Sequence, residues 1–348
     1  MANTQEDYWL NNFSGQYPEL LPEYWLPLVR VFDSFEEPNT FSILPPKPTT
    51  YSFKWRIFVD PAGMSPMMQD EVGKTPMTGQ RAVYEKFETR YTKEGFYVTQ
   101  KDLDFGLPDI ISTETRRVIR DINRRTEYVN LQALQGNTWN TQYTGRMSTM
   151  TRPTWQNSGG TPVRDVLTIS YHIWRMCGER PDRMFLGPGE FMFLQNHTTI
   201  LQYLGMGSGM ALPNDLLCSD LVKCIKNLTI QTISGFYKED ATDYALYTSG
   251  NPRAGQPGLG DTTMSTTSAP NKHWLLYDRA IITAGDVGFT GIAKNVDVEY
   301  RQWEDVDQGI LKWKFGRYFT PVIEDYGRIG LITFTGTSRD AYGQITQL

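Results

Sequence analysis

The sequence predicts an α+β fold, and three observations carry that prediction. Two segments near the start alternate apolar and polar residues with a period of two, a long helical pattern and a helix–strand–helix passage fill the middle, and the end of the chain returns to strand patterns.

Met1–Thr50 precedes the first strand. It is broken by seven prolines, from Pro18 to Pro48, yet it carries Tyr8, Trp9, Phe13, Tyr24, Trp25, Phe32 and Phe35. A disordered tail is poor in aromatics, so this segment reads as an arm that lies extended on another surface, its own domain or a neighbouring subunit. In Tyr51–Val59, Tyr51, Phe53, Trp55, Ile57 and Val59 face one way and Ser52, Lys54 and Arg56 the other. Arg81–Tyr91 repeats the habit with Val83, Phe87 and Tyr91. Between these strands Asp60–Gln80 is polar, methionine-rich and interrupted by Gly63, Pro66, Gly73, Pro76 and Gly79. A connector of that length in a hairpin is expected to dock on an adjacent subunit.

Asp109–Leu134 is the longest helical pattern, a rod of roughly 36 Å. Ile111, Thr115, Val118, Ile119, Ile122, Val129 and Ala133 form its stripe, and Arg116, Arg117, Arg120, Arg124 and Arg125 crowd the other side. Residues 137–160 read as a Thr/Asn/Gly-rich link. In Thr161–Cys177 the residues Val163, Val166, Leu167, Ser170, Ile173, Trp174 and Cys177 recur with helical period. Thr161 is the candidate N-cap, Pro162 the first helical residue and Gly178 the stop. Met184–Leu186 reads as a short buried strand and Pro188 as the start of a second helix through Phe191 and Leu194.

Pro213–Ile225 reads as a helix, Leu228–Tyr237 as a strand, Ser249–Asn271 as a projecting loop, and Trp274–Tyr277 and Ala280–Ile282 as strands. Alternation returns around Val298–Arg301 and Leu311–Phe315. Ile329–Phe334 is nearly all apolar, the mark of a central strand covered on both faces, with the Asp109–Leu134 rod as the expected cover.

Composition narrows the function classes. The 348 residues are 39% hydrophobic and 21% charged, with nine Trp and nineteen Tyr, which suit extensive contacts between partly wet surfaces. The net charge of -5 is matched by the arm alone, where seven acidic residues face Arg30 and Lys47, so the other 298 residues are neutral. That balance speaks against a dedicated high-affinity nucleic-acid binder. With no signal-peptide pattern and no apolar run near membrane-spanning length, a soluble intracellular protein is expected. Cys177, Cys218 and Cys224 fit no zinc spacing, and His172, His197 and His273 no metal-ligand pattern; core or capping roles are expected for the histidines. Glu36-Glu37 and Glu304-Asp305 read as solvated charge, and Gly205–Gly209 lacks the strand and Gly-Lys-Ser/Thr of a phosphate loop. No catalytic, cofactor-binding or metal-binding residue is therefore assigned, and no cofactor is expected.

Glu179-Arg-Pro-Asp182, Met184-Phe-Leu-Gly187, and Phe191 through Gln195-Asn196-His197 form one passage. It resembles a passage in the axial domain of the major capsid proteins of tailed double-stranded-DNA viruses, a phage-type fold shared with encapsulins. The order of the flanking parts resembles that family as well. The resemblance implies an N-terminal arm (1–50), an extended β-hairpin loop (51–100), a peripheral domain with a long spine helix (101–155), an axial domain (156–290) and strands returning to the peripheral domain (291–348).

It further implies a non-enzymatic subunit that self-assembles as hexamers and pentamers into an icosahedral shell around double-stranded DNA. The expected location is the virion, after assembly in the host cytoplasm. Expected partners are further copies of the chain, separate scaffolding, decoration and portal proteins, and packaged DNA held by weak, non-specific contact; no membrane is implied. Some members crosslink a loop lysine to a distant asparagine; Lys74 lies near the loop apex, but no asparagine can be assigned to it, so crosslinking is not expected. Two other readings compete. An encapsulin-like nanocompartment would enclose protein cargo, and a soluble hydrolase would be a small oligomer with a concave site and perturbed pKa values.

Overall fold

The structure, a computed structural model, describes residues 37–59, 82–99, 109–136, 146–155, 160–198, 200, 228–233, 236–238, 272–274, 276, 279–293, 298–305 and 310–335. A 3-10 turn (Asn39–Ser42) leads to strands β1 (Pro46–Thr49), β2 (Ser52–Phe58), β3 (Ala82–Glu88) and β4 (Arg90–Thr99). Helix α1 (Asp109–Leu134) and strand β5 (Ser148–Pro153) follow, then helix α2 (Pro162–Cys177), strand β6 (Arg183–Leu186) and helix α3 (Pro188–Asn196). Next come β7 (Thr229–Thr232), β8 (Phe236–Lys238), β9 (Lys272–Trp274), β10 (Arg279–Thr283) and β11 (Gly288–Ala293). Strands β12 (Glu299–Asp305), β13 (Ile310–Ile323) and β14 (Ile329–Thr335) end the described chain, with a 3-10 turn at Tyr326–Arg328 between the last two. The expected Asp60–Gln80 connector, Pro213–Ile225 helix, Ser249–Asn271 loop, Gly205–Gly209 cluster and Lys74 lie outside the described residues.

Two compact units emerge. The first comprises the described residues of Met1–Trp55, Glu85–Asn130 and Phe289–Val322. Its sheet runs β1-β11-β13-β12, with β4 also paired to β13. Strand β13 organises it: Ile310–Gly316 pairs with β12, and Ile310–Phe319 pairs antiparallel with β4. Trp313 stands opposite Phe96, and their rings stack at 5.0 Å. Val118, Ile119 and Ile122 of α1 are fully buried and close this core with Val98, Leu311 and Phe315. Phe53 and Trp55 alternate out of β2 onto Phe289, as the period-two pattern predicts.

One feature of α1 departs from the sequence reading. The predicted stripe includes Val129, but Val129 is half-buried, and the buried positions of that stretch are Asn123, Thr126, Glu127 and Asn130. A polar network holds them, although the buried Asn130 Oδ1 has no partner among the described residues. Buried Arg317 donates to Asn123 Oδ1 at 2.7 Å and to Thr126 Oγ1 at 3.4 Å. The Asn130 amide donates to the hydroxyls of Thr40 and Thr290 at 3.0 and 3.1 Å, and Thr290 donates in turn to the Leu44 carbonyl at 3.0 Å. Glu127 Oε1 accepts the backbone N–H of Asn39 at 3.0 Å.

Residues 37–50, the end of the expected arm, pack on their own unit, one of the two surfaces expected for it: Ile43 and Leu44 are at zero exposure and β1 pairs in parallel with β11. Strand β1 ends its sheet, and an edge tolerates Pro46 and Pro48, which lack the N–H that a central strand must donate.

The second unit comprises the described residues of Arg56–Tyr84, Leu131–Gly288 and Ile323–Leu348. Its sheet runs β5-β14-β10-β6-β7. Strand β14 pairs in parallel with β5 and antiparallel with β10, while β6 pairs antiparallel with β10 and in parallel with β7. The apolar run at Ile329–Phe334 is thus internal, as expected, and α2 packs on it. It does not return beside β12 and β13. Strand β5 lies in the stretch read as a link; its Ser, Thr and Arg residues hide a half-buried edge strand. A Cβ on Gly330 would stand 2.7 Å from side-chain atoms of Ile169 and Ile173, so the missing side chain sets how closely α2 approaches the sheet.

Two predictions follow from these cores. Gly330→Val should destabilise the protein by about 1–3 kcal/mol through overpacking under α2, read as a lower urea midpoint. Burial pushes the Glu127 carboxyl above its usual range, with the Asn39 hydrogen bond and Arg124 opposing in part. An acid whose folded pKa is raised binds its proton more tightly when folded, so stability falls as pH rises from the unfolded value through the folded one. Glu127→Gln keeps an oxygen for Asn39 without the buried charge; it should remove that decline and raise the melting temperature at pH 7.

Candidate assembly surface

The passage Glu179–His197 builds one side of the second unit, and its distinctive residues each have a structural task. Asp182 closes a corner. Its backbone N–H donates to Thr283 O at 3.0 Å, its carbonyl accepts from Thr229 N at 2.7 Å, and its Oδ1 accepts from Gly285 N at 2.8 Å. Gly285 has φ +62°, a conformation in which a side chain would be strained. Ion pairs brace the corner: Arg328 to Glu179 at 2.8 Å, and Arg183 to Asp286 at 3.5 Å. Gly187 precedes α3, where any Cβ would collide with the Leu276 carbonyl. Buried His197 follows α3, its Nε2 lies 3.2 Å from the Gly160 carbonyl, and burial lowers its pKa.

The surface that these residues support is the outer side of α2. The helix ends as predicted, with Pro162 in its first turn and Gly178 at φ +78° donating to the Trp174 carbonyl. Thr161 holds the N-cap position, but its hydroxyl donates to the Asp165 carboxylate instead of capping the backbone. Asp165 is buried, where it also accepts from the Trp155 indole at 3.1 Å and pairs with Arg152 at 3.2 Å.

Helix α2 has two apolar faces. Val166, Ile169, Ile173 and Cys177 are buried against β14 and its neighbours. Leu167, Tyr171 and Trp174 are 49%, 58% and 44% exposed. At about 100° per residue the exposed set lies across the helix from the buried one. The sequence stripe put Leu167 and Trp174 in the core and missed Ile169, so it blended the two faces. A shallow groove of about 520 Å³ runs along the first turns between Thr161 and Tyr171. Arg164 and Arg175 are exposed on the same side, and the Arg180 guanidinium lies 5.0 Å from the Trp174 ring.

Among the described residues this surface brings no acid, base and nucleophile together. His172 is exposed on α2, contrary to the core or capping role expected of it, whereas His197 has a buried position at the end of α3. The side chains of His273, Glu304 and Asp305 and the whole of Cys218, Cys224 and Glu36 lie outside the described residues; Glu37 is exposed. Cys177 is a buried thiol whose pKa is raised by burial, so it is not poised for nucleophilic chemistry. Among the described residues no group of three His, Cys, Asp or Glu side chains is placed to hold a metal, and no helix is long and apolar enough to cross a membrane.

The two faces of α2 predict opposite responses. Ile173→Ala should cost about 2–5 kcal/mol, and Tyr171→Ala less than about 1 kcal/mol, in denaturant unfolding. Equal losses would show that the exposed face is part of the core.

No family model and no curated protein matches the sequence. Solved structures do match the fold. A phage-related protein from Bordetella bronchiseptica RB50 aligns over 88% of this chain and 96% of its own, with TM-score 0.58 and 12% identity. A chain assigned as the capsid protein of a prophage of E. coli CFT073 aligns over 91% and 99%, with TM-score 0.54 and 14% identity. The virus-like particle from Pyrococcus furiosus aligns over 88% and 96%, with TM-score 0.53 and 10% identity. The likeness spans nearly the whole of each partner and includes both units described above. The chain therefore has the α+β fold of phage-type capsid proteins.

Proposed function

We propose that this chain is the structural subunit of an icosahedral capsid that encloses double-stranded DNA. The observation that carries the reading is end-to-end likeness to a prophage chain assigned as a capsid protein, over 91% of this chain and 99% of that one. The structure supports it in a second way. Its distinctive residues are spent on corners and close packing, and three of the six large exposed apolar side chains among the described residues, Leu167, Tyr171 and Trp174, share one face of α2. In this reading α1, β4, β12 and β13 form the peripheral domain with α1 as its spine. The five-stranded sheet with α2 and α3 forms the axial domain, and residues 1–36 are the arm. The subunit is non-enzymatic, assembles as hexamers and pentamers, and holds DNA by confinement with weak contacts, in keeping with a neutral body. Scaffolding, decoration and portal proteins are separate chains, and assembly takes place in the host cytoplasm.

A protein-filled compartment built on the same fold is the second reading, and the likeness to the Pyrococcus furiosus virus-like particle does not separate it from the first. Electron microscopy of the full chain expressed with its genomic neighbours separates the two. Discrete spheres with nucleic acid inside are expected; spheres packed with protein would favour the compartment, and a monomer or small oligomer would overturn both. Deleting residues 1–36 should leave the fold intact by circular dichroism and abolish large particles in sedimentation. A deletion through Thr50 would not test the arm, because it removes β1 and the buried Ile43 and Leu44.

A further inference from the structure

The outer face of α2 combines three features. Leu167, Tyr171 and Trp174 form an exposed apolar line. Arg164 and Arg175 flank that line on the helix and Arg180 lies beside Trp174. Among the described residues no carboxylate pairs with Arg164 or Arg175, whereas Asp165, the acid of the helix, is turned inward and bound to Arg152. Such a face selects an occupant that is acidic, aromatic and extended enough to follow a groove about two helical turns long.

Of the segments outside the described residues, residues 1–36 have the largest acidic excess together with aromatics. Residues 1–36 carry six acids (Glu6, Asp7, Glu19, Glu23, Asp33, Glu36) against Arg30, a net charge of -5 equal to that of the whole protein. The remainder is therefore neutral overall, and its acidic stretches, such as Glu239, Asp240 and Asp243 beside Tyr244, carry a smaller excess. Within the segment, Pro18–Pro27 places Glu19 and Glu23 beside Tyr24 and Trp25 between three prolines. Prolines favour the extended, pre-ordered backbone that docks on aromatic-lined grooves at low entropic cost. Thirty-six extended residues span at most about 120 Å, so reach does not limit the contact to one copy.

We infer that the outer face of α2 is the docking site of residues 1–36 of this chain, with Arg164 and Arg175 reading the acids and Leu167, Tyr171 and Trp174 the aromatics. The contact does not depend on the capsid reading, because a free subunit or a small oligomer can make it as well.

The test uses the full chain with a photo-reactive benzoylphenylalanine in place of exposed Leu167, scored in both free and assembled fractions. After irradiation, mass spectrometry is expected to find the Leu167 position joined to peptides from residues 1–36. The double reversal Arg164→Glu/Arg175→Glu should lower that yield at least about fivefold. The charge-keeping pair Arg164→Lys/Arg175→Lys should retain it, and adding Glu19→Arg/Glu23→Arg to the double reversal should restore it. Crosslinks confined to peptides beyond residue 36, or an arm crosslink that ignores the double reversal, would overturn the inference. Because particles are counted separately by microscopy, a failed crosslink in intact DNA-filled shells would remove this contact and leave the capsid reading standing.

Discussion

The first unit depends on one long strand that is paired on both sides. Ile310–Gly316 of β13 has β12 along one edge and β4 along the other. A strand so held presents two faces whose side chains are fixed in register, and Phe96, Trp313 and Phe315 accordingly form a stacked aromatic row. Helix α1 can lie on that row only with an apolar face, which Val118, Ile119 and Ile122 supply. Farther along, the same helix meets Arg317 of β13, and from there its buried side chains must be hydrogen-bonding partners. The switch from apolar to polar along α1 is thus a consequence of what β13 presents beneath it.

The second unit solves its packing differently. Its sheet is brought close to α2 by the absence of a side chain at Gly330, and the corner before β6 is closed by Asp182, which bonds two other stretches of chain, Thr229 and Thr283–Gly285. These requirements are steric and local. They can persist while most surrounding residues change, which fits the 10–14% identity to chains of the same fold.

Much of the fold was legible in the sequence where one physical signal dominated. Helix α1 begins and ends at the predicted residues, because period, preceding proline and terminal glycine agree there. Strands β2 and β3 follow from strict alternation. What escaped had competing signals. Prolines masked β1, although an edge accommodates them, and Ser, Thr and Arg masked β5. Asn123, Thr126, Glu127 and Asn130 look like a solvated face until their partners on distant strands are known. On α2 the error was rotational: Leu167 and Trp174 count as core by hydrophobicity alone, and only the tertiary fold separates a face that meets β14 from one left open. The passage Glu179–His197 was recognisable, but the tasks of Asp182 and Gly187 depend on Thr229, Gly285 and Leu276, far along the chain.

The parallel pairing of β1 with β11 has a consequence for the order of events during synthesis. Pro46–Thr49 waits for Thr290–Ala293, and the polar network of α1 waits for Arg317. In the other unit, β5, β10 and α2 wait for β14. Neither unit can close until residues 310–335 have left the ribosome, so contacts between nearby residues must carry the emerging chain until then. For the shell subunit proposed above this is a safeguard in time. Until residues 310–335 have been made, no finished surface exists for a neighbour to bind.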